Sequence, residues 1–97
     1  MTAYVIGHIA IRNTARWAEY RRSVPETLKP FDGELVLRGQ NATVLAGEHL
    51  YTDVVVLRFP SLEAARQWHA SAAYQALIPL REQAADVTLI RYEADPG

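Results

Sequence analysis

Two stretches of this chain are apolar on both faces of an extended backbone. Ala3 to Ile11 (AYVIGHIAI) is rich in β-branched residues, and its odd positions (Ala3, Val5, Gly7, Ile9, Ile11) are as apolar as its even ones (Tyr4, Ile6, His8, Ala10). Asp53 to Phe59 (DVVVLRF) has the same character. Side chains alternate faces along a strand, so a strand apolar at both parities is one that is covered on both sides. That demand places both segments in the middle of a sheet.

The remaining segments say what flanks them. Asn13 and Thr14 are suited to cap a helix, because their side chains accept from the free N–H groups of a first turn. Trp17, Tyr20 and Val24 follow at helical spacing, with Arg16, Glu19 and Arg22 pointing away. Pro25 is expected to end or bend this helix and to open a shorter one with Val24, Leu28 and Phe31 on one face. Asp32-Gly33 signals a turn into a short strand, Glu34 to Arg38, and Gly39-Gln40-Asn41 suggests a hairpin into Thr43-Val44-Leu45. Gly47 to Thr52 reads as loop. After the Asp53 strand, Pro60 stops extension and Ser61 caps a helix with Leu62, Ala65, Trp68 and Ala72 on one stripe; Glu63 sits in its first turn. A break near Ser71 leads to a second stretch carrying Ala73, Leu77, Leu80 and Ala84, kinked or restarted at Pro79. Val87 to Glu93 is the last strand, and Ala94 to Gly97 is expected to fray.

The order is βαββαβ, the split βαβ arrangement of ferredoxin-like α+β folds, an antiparallel sheet with helices on one face. Its first and third main strands are central, and these are the two segments that are apolar at both parities. A chain of 97 residues fits one such domain spanning 1–97. At this length only about 60–65% of the unfolded surface is buried, so a lone copy is marginal. Two helices cover one sheet face and leave the other bare, with residues from sets such as Val5, Ile9, Ile11, Val54 and Val56 on it. The economical remedy is a homodimer through the sheet faces.

Composition removes other classes. There is no Cys, hence no disulfide and no thiolate chemistry. Lys+Arg 10 against Asp+Glu 11 lacks the basic excess of a nucleic-acid or anionic-membrane binder. No apolar run approaches the roughly 20 residues of a membrane span, and no export signal is visible, so no membrane partner and a cytoplasmic location are expected. His8, His49 and His69 lack metal-ligand spacing, and neither a Gly-rich phosphate loop nor a GxSxG elbow occurs; no metal and no cofactor are expected.

The segments YVIGHI, AEYRRSVPETLKPFDGELVLRG, VVVLRFPSLEAARQWHASAAYQAL and LREQAAD resemble the domain-of-unknown-function 1330 family over about Ala3 to Tyr92. The resemblance implies membership of the dimeric α/β-barrel superfamily, with two ferredoxin-like sheets face to face. Members of that superfamily include cofactor-free monooxygenases, isomerases, dehydratases and heme-handling proteins, with small-molecule sites in a cleft between sheet and helices. Fold alone does not choose among them.

The polar residues that carry chemistry are few. His8, mid-strand among apolar neighbours, is the natural acid/base near pH 7; otherwise it is a hydrogen-bonded structural histidine or part of a dimer seam. Arg81 falls about 40° from the Leu77 stripe of its helix, and Tyr74 lies two turns earlier on the same flank; together they suit a carboxylate or enolate. The plainer alternative is an Arg whose stem packs on the core while its head meets water. Arg38, at a strand end, either reaches a cleft as a ligand contact or guards a sheet edge. Tyr20 and Trp17 read as core, the Tyr20 hydroxyl needing one partner and supporting a ligand; Trp68 and His69 are further candidate ligand contacts. Relatives typically carry His or an acid at position 8, Arg-Gly-Gly where this chain has Arg38-Gly39-Gln40, a Tyr at His69, and Pro-Glu at Ala72-Ala73.

Three readings follow. The first is a homodimer with a small, partly apolar cleft per subunit, doing cofactor-independent proton transfer on a small carbonyl, enol or carboxylate compound, with His8, Arg81 and Tyr74 as its catalytic groups. The second is a non-catalytic ligand-binding or structural dimeric module. The third is a heme- or metal-associated dimer with His8 or His69 as ligand.

Overall fold

The computed structural model describes residues 1–95. Strand β1 (Thr2–Ile11) runs into helix α1 (Thr14–Leu28) through Asn13, whose Oδ1 accepts from the Arg16 N–H at 3.0 Å. The Arg12 and Asn13 N–H groups both donate to the Ala84 carbonyl, at 2.8 and 2.9 Å, fastening the start of α1 to the end of a later helix. Pro25 lies inside α1 without ending it, contrary to the sequence expectation. The fixed φ of proline is already helical, and only one backbone bond is forfeited. Termination comes later, through a one-turn 3-10 helix (Lys29–Phe31) and Asp32 at φ 54. Gly33 follows because a Cβ there would lie 2.7 Å from the Phe59 ring.

Strand β2 (Glu34–Gly39) carries a register shift between Leu35 and Leu37. The expected partner strand at Thr43-Val44-Leu45 does not form. Residues 40–52 make a loop pinned where the Ala42 N–H donates to the Thr52 carbonyl at 2.9 Å. β2 pairs with β3 (Asp53–Phe59) and stands at the sheet edge; Val44 and Leu45 are exposed, with no apolar face to bury that would hold them on its outer side. Ser61 caps α2 (Leu62–Ala70), and Ser71 caps the short α3 (Ala72–Gln75). Pro79 falls in the first turn of α4 (Ile78–Ala84), where its missing N–H costs nothing. Strand β4 (Ala85–Ala94) begins two residues earlier than expected and includes Ala94; of the expected frayed end, Pro96 and Gly97 lie outside the described residues.

The sheet order is β2-β3-β1-β4, antiparallel throughout, with β1 and β3 central: the ferredoxin-like arrangement. The sheet is open and not closed on itself within one chain. On β1, Ala3, Val5, Gly7 and Ile9 are buried beneath the helices and their even neighbours are half-buried. Register then assigns the faces. Val55, Leu57 and Phe59 oppose Gly7, Val5 and Ala3 on the helix side, while Tyr4, Ile6 and His8 oppose Arg58, Val56 and Val54 on the other. Val5 and Ile9 therefore do not belong to the uncovered face, and Ile11 packs beside Ile9, Ala84 and Ala85; Val54 and Val56 do belong to it. A strand apolar at both parities carries no internal signal of which parity meets the helices, so this assignment was not legible from β1 alone.

The core lies between sheet and helices, built on the fully buried Trp68, Tyr74 and Phe59. Trp68 stacks at 4.3 Å from Tyr74 and 5.4 Å from Phe59 between ring centroids. Each such pair adds about 0.5–1.5 kcal/mol beyond its area.

Candidate functional site

A cavity of about 290 Å³ opens between α1 and the sheet. Trp17, Tyr20, Val24 and Leu28 line its α1 wall, Leu57 and Leu89 its sheet floor, and Trp68 its inner end. The helical spacing of Trp17, Tyr20 and Val24 that first identified α1 thus points its apolar stripe at this space as well as at the core. The polar groups at its margin are Arg21, Lys29, Gln40, Asp53 and Arg38. Arg38 opposes Val55 in the register, which turns it to the helix side rather than to the open sheet face.

Tyr20 connects the cavity to a buried hydrogen-bond chain. Its hydroxyl lies 2.8 Å from that of Tyr74, and Arg81 Nη1 donates to the Tyr74 oxygen at 2.9 Å. With the Arg81 donor occupying that oxygen, the chain is satisfied end to end. Burial, reinforced by the neighbouring Tyr74, pushes the Tyr20 phenol far above its ordinary value, while Arg81 offsets this only in part. The Tyr20 phenol thus keeps its proton and stays neutral at physiological pH.

Trp68 is pinned by its indole N–H, which donates to Thr27 Oγ1 at 2.9 Å; Thr27 in turn donates to the Val24 carbonyl at 2.6 Å. Its other side lines a second, more open depression with His69, Arg66, Arg91 and Val5. The His69 imidazole is shifted below its ordinary value by partial burial and then by the Arg81 charge.

His8 is elsewhere. It lies on the sheet face away from the helices, opposite Val54 and Thr88, and lines none of these cavities. Its ring meets His49 edge-on at 5.0 Å and Tyr51 at 6.0 Å, and the Tyr51 hydroxyl pairs with Thr88 Oγ1 at 2.6 Å. Of the expected catalytic trio, Tyr74 and Arg81 come together and His8 does not join them. The reason is parity: position 8 is even, and the helices cover the odd face. Tyr20, Arg38 and Trp68 do share one cavity, which His69 does not line. Sequence reasoning missed Arg21, which lines the cavity from α1; its position one residue after Tyr20 put it at the edge of the apolar stripe. Among the described residues, no three His, Cys, Asp or Glu side chains are grouped to hold a metal ion. Among the described residues, no helix is long and apolar enough to cross a membrane.

A family model described as a domain of unknown function, DUF1330, matches residues 2–94. The chain belongs to the DUF1330 family. No curated protein matches the sequence. Among solved structures, a Rhodopseudomonas palustris protein of unknown function, RPA0582, is 20% identical with a TM-score of 0.80, the match covering 98% of this chain and 84% of that one. A dimeric ferredoxin-like protein of unknown function from Jannaschia is 12% identical with a TM-score of 0.78, covering 97% of this chain and 100% of that one. SnoaB, a cofactor-independent oxygenase from Streptomyces nogalater, is 10% identical with a TM-score of 0.68, covering 99% of this chain and 95% of that one. At these identities the likeness establishes a common fold for the DUF1330 chain and its neighbours.

Proposed function

We propose that this DUF1330 chain works as a homodimer, joined through its open sheet faces, in which each subunit binds a small molecule in the cleft between α1 and the sheet. The observation that carries the binding reading is the cavity itself: about 290 Å³, walled by Trp17, Tyr20 and Trp68, with few polar groups at its margin. The dimer reading rests on the composition of the open face. Ile6, Val56 and Ile90 adjoin across three strands at its centre, and the Arg58–Glu34 ion pair, Asp86 and the Tyr51–Thr88 pair lie around them. An apolar centre with a polar rim is the usual anatomy of a subunit interface. The Jannaschia neighbour, itself described as dimeric, supports the same assembly.

The test is a thermal-shift screen of small apolar carbonyl, enol and carboxylate compounds, on the wild type and on Tyr20→Phe and Arg38→Ala. A compound that stabilises the wild type and loses its effect in either variant supports the cleft. Stabilisation that both variants retain in full overturns it.

The Tyr20–Tyr74–Arg81 chain favours a second reading, a cofactor-independent enzyme. In it the neutral Tyr20 hydroxyl donates to oxygen charge developing on the bound compound, and Tyr74 and Arg81 position that hydroxyl. SnoaB, a cofactor-independent oxygenase of the same fold, agrees with this reading. Turnover of a compound from the screen that vanishes in Tyr20→Phe while binding persists would support it; unchanged turnover would exclude it.

A further inference from the structure

Resting on the cleft as a ligand site, we propose that its ligand is an organic carboxylate, a flat apolar body held among the Trp and Tyr side chains with its carboxylate between Arg21 and Arg38. The two arginines arrive from different elements, Arg21 from α1 and Arg38 from β2, and both line the one cavity. Arg12, Arg16, Arg58 and Arg66 each pair with a carboxylate of this chain. Among the described residues neither Arg21 nor Arg38 has an ion pair or a side-chain hydrogen bond. Two guanidinium groups turned to one opening repel; partial burial, and after it the nearby Arg21 charge, lowers the proton affinity of Arg38. An oxyanion placed between them relieves that repulsion and accepts from both, which a neutral ligand cannot do.

The other charged lining residues do not supply this partner. Lys29 is paired with Glu26 at 2.9 Å, and Asp53, the one carboxylate of the lining, forms no ion pair with either arginine. The margin is therefore net positive over an apolar interior. Trp17, Tyr20 and Trp68 provide the flat faces that favour a planar body.

The experiment uses 2-naphthoate and its uncharged counterpart 2-naphthalenemethanol, titrated calorimetrically into the full chain and into an Arg21→Gln/Arg38→Gln variant whose fold is checked by circular dichroism. Two charge-assisted contacts predict that the wild type binds naphthoate about tenfold to a hundredfold more tightly than the alcohol. In the double variant that preference should collapse while alcohol binding stays the same, and salt should weaken only naphthoate binding to the wild type. Equal affinity of the two probes for the wild type overturns the carboxylate proposal and leaves the cleft reading standing. A preference that survives in the double variant overturns the assignment to these arginines. Binding of neither probe overturns the proposal together with the cleft reading beneath it.

Discussion

Replacing Tyr74 by Phe removes one oxygen from a chain of three groups, and the structure says what that costs. Tyr74 is fully buried, and its oxygen serves both the Tyr20 hydroxyl at 2.8 Å and Arg81 Nη1 at 2.9 Å. Arg81 is only half-buried and recovers its bond with water. Tyr20 is 8% exposed and loses its protein partner, though it borders the cavity. The orphaned hydroxyl sets a cost of about 1–2 kcal/mol, toward the lower part of the range for a buried unsatisfied group. Near 100 residues each kcal/mol shifts Tm by roughly 4–8 °C. Tyr20→Phe should cost less, because Tyr74 keeps Arg81 as its partner. The double variant Tyr20→Phe/Tyr74→Phe leaves no buried hydroxyl unpaired, so it should be more stable than the sum of the two singles by about 1 kcal/mol. Urea unfolding followed by circular dichroism measures all four proteins under one condition. Strict additivity, or a larger loss for Tyr20→Phe than for Tyr74→Phe, would refute the account of the chain.

Three other expectations follow from particular contacts. Ile6→Asp or Val56→Asp puts a charge at the centre of the open face, so sedimentation should show dimer affinity falling at least about a hundredfold; an unaltered dimer would exclude that face. Tyr20 holds its proton in the folded chain well above the ordinary value of 10.0, so the unfolded chain ionises first. Its contribution is complete below that value and is lost as pH rises through it, by about 1.4 kcal/mol per unit, and alkaline melting curves should be flatter in Tyr20→Phe. Gly7→Ala places a Cβ 2.9 Å from Val55 Cγ1 and 3.0 Å from Leu89 Cδ2, so it should destabilise by about 1–3 kcal/mol in denaturant titrations, and a neutral result would mean that both walls yield freely.

Much of the fold is legible in the residues. The double-sided apolar character of β1 and β3 marks them as the central pair, and Asn13, Ser61 and Ser71 cap the helices that follow them. Two features were not legible, each for a physical reason. Pro25 is compatible with helical φ, so its presence does not say whether a helix stops or continues, and tertiary packing of Val24 and Leu28 decides for continuation. Thr43-Val44-Leu45 has strand-like composition, yet strand pairing is a property of two segments: the outer edge of β2 has no strand partner among the described residues, and Val44 and Leu45 stay exposed.

The site divides in the same way. Tyr74 and Arg81 are seven residues apart, and although they sit on two short helices, α3 and α4, rather than on one, they stay near enough in sequence for a local pattern to bring them together. The meeting of Tyr20 with Tyr74, 54 residues apart, depends on how α1 lies against α3 and is invisible to any local pattern. His8 shows the converse. Its chemistry is readable from its type, but its partners, His49 and Tyr51, come from a loop whose path over the open face no periodicity encodes.

Trp68 borders the cavity beneath α1 and the depression beside His69 alike. One ring therefore borders both compartments, held by the Tyr74 and Phe59 rings and by its hydrogen bond to Thr27 on α1. Any occupant that tilts the indole in one compartment reshapes the other, and reciprocity requires the second compartment to answer with an equal free energy. With Trp17 the only other indole in the chain, and in the same cavity wall, that exchange would be readable in the protein's own fluorescence.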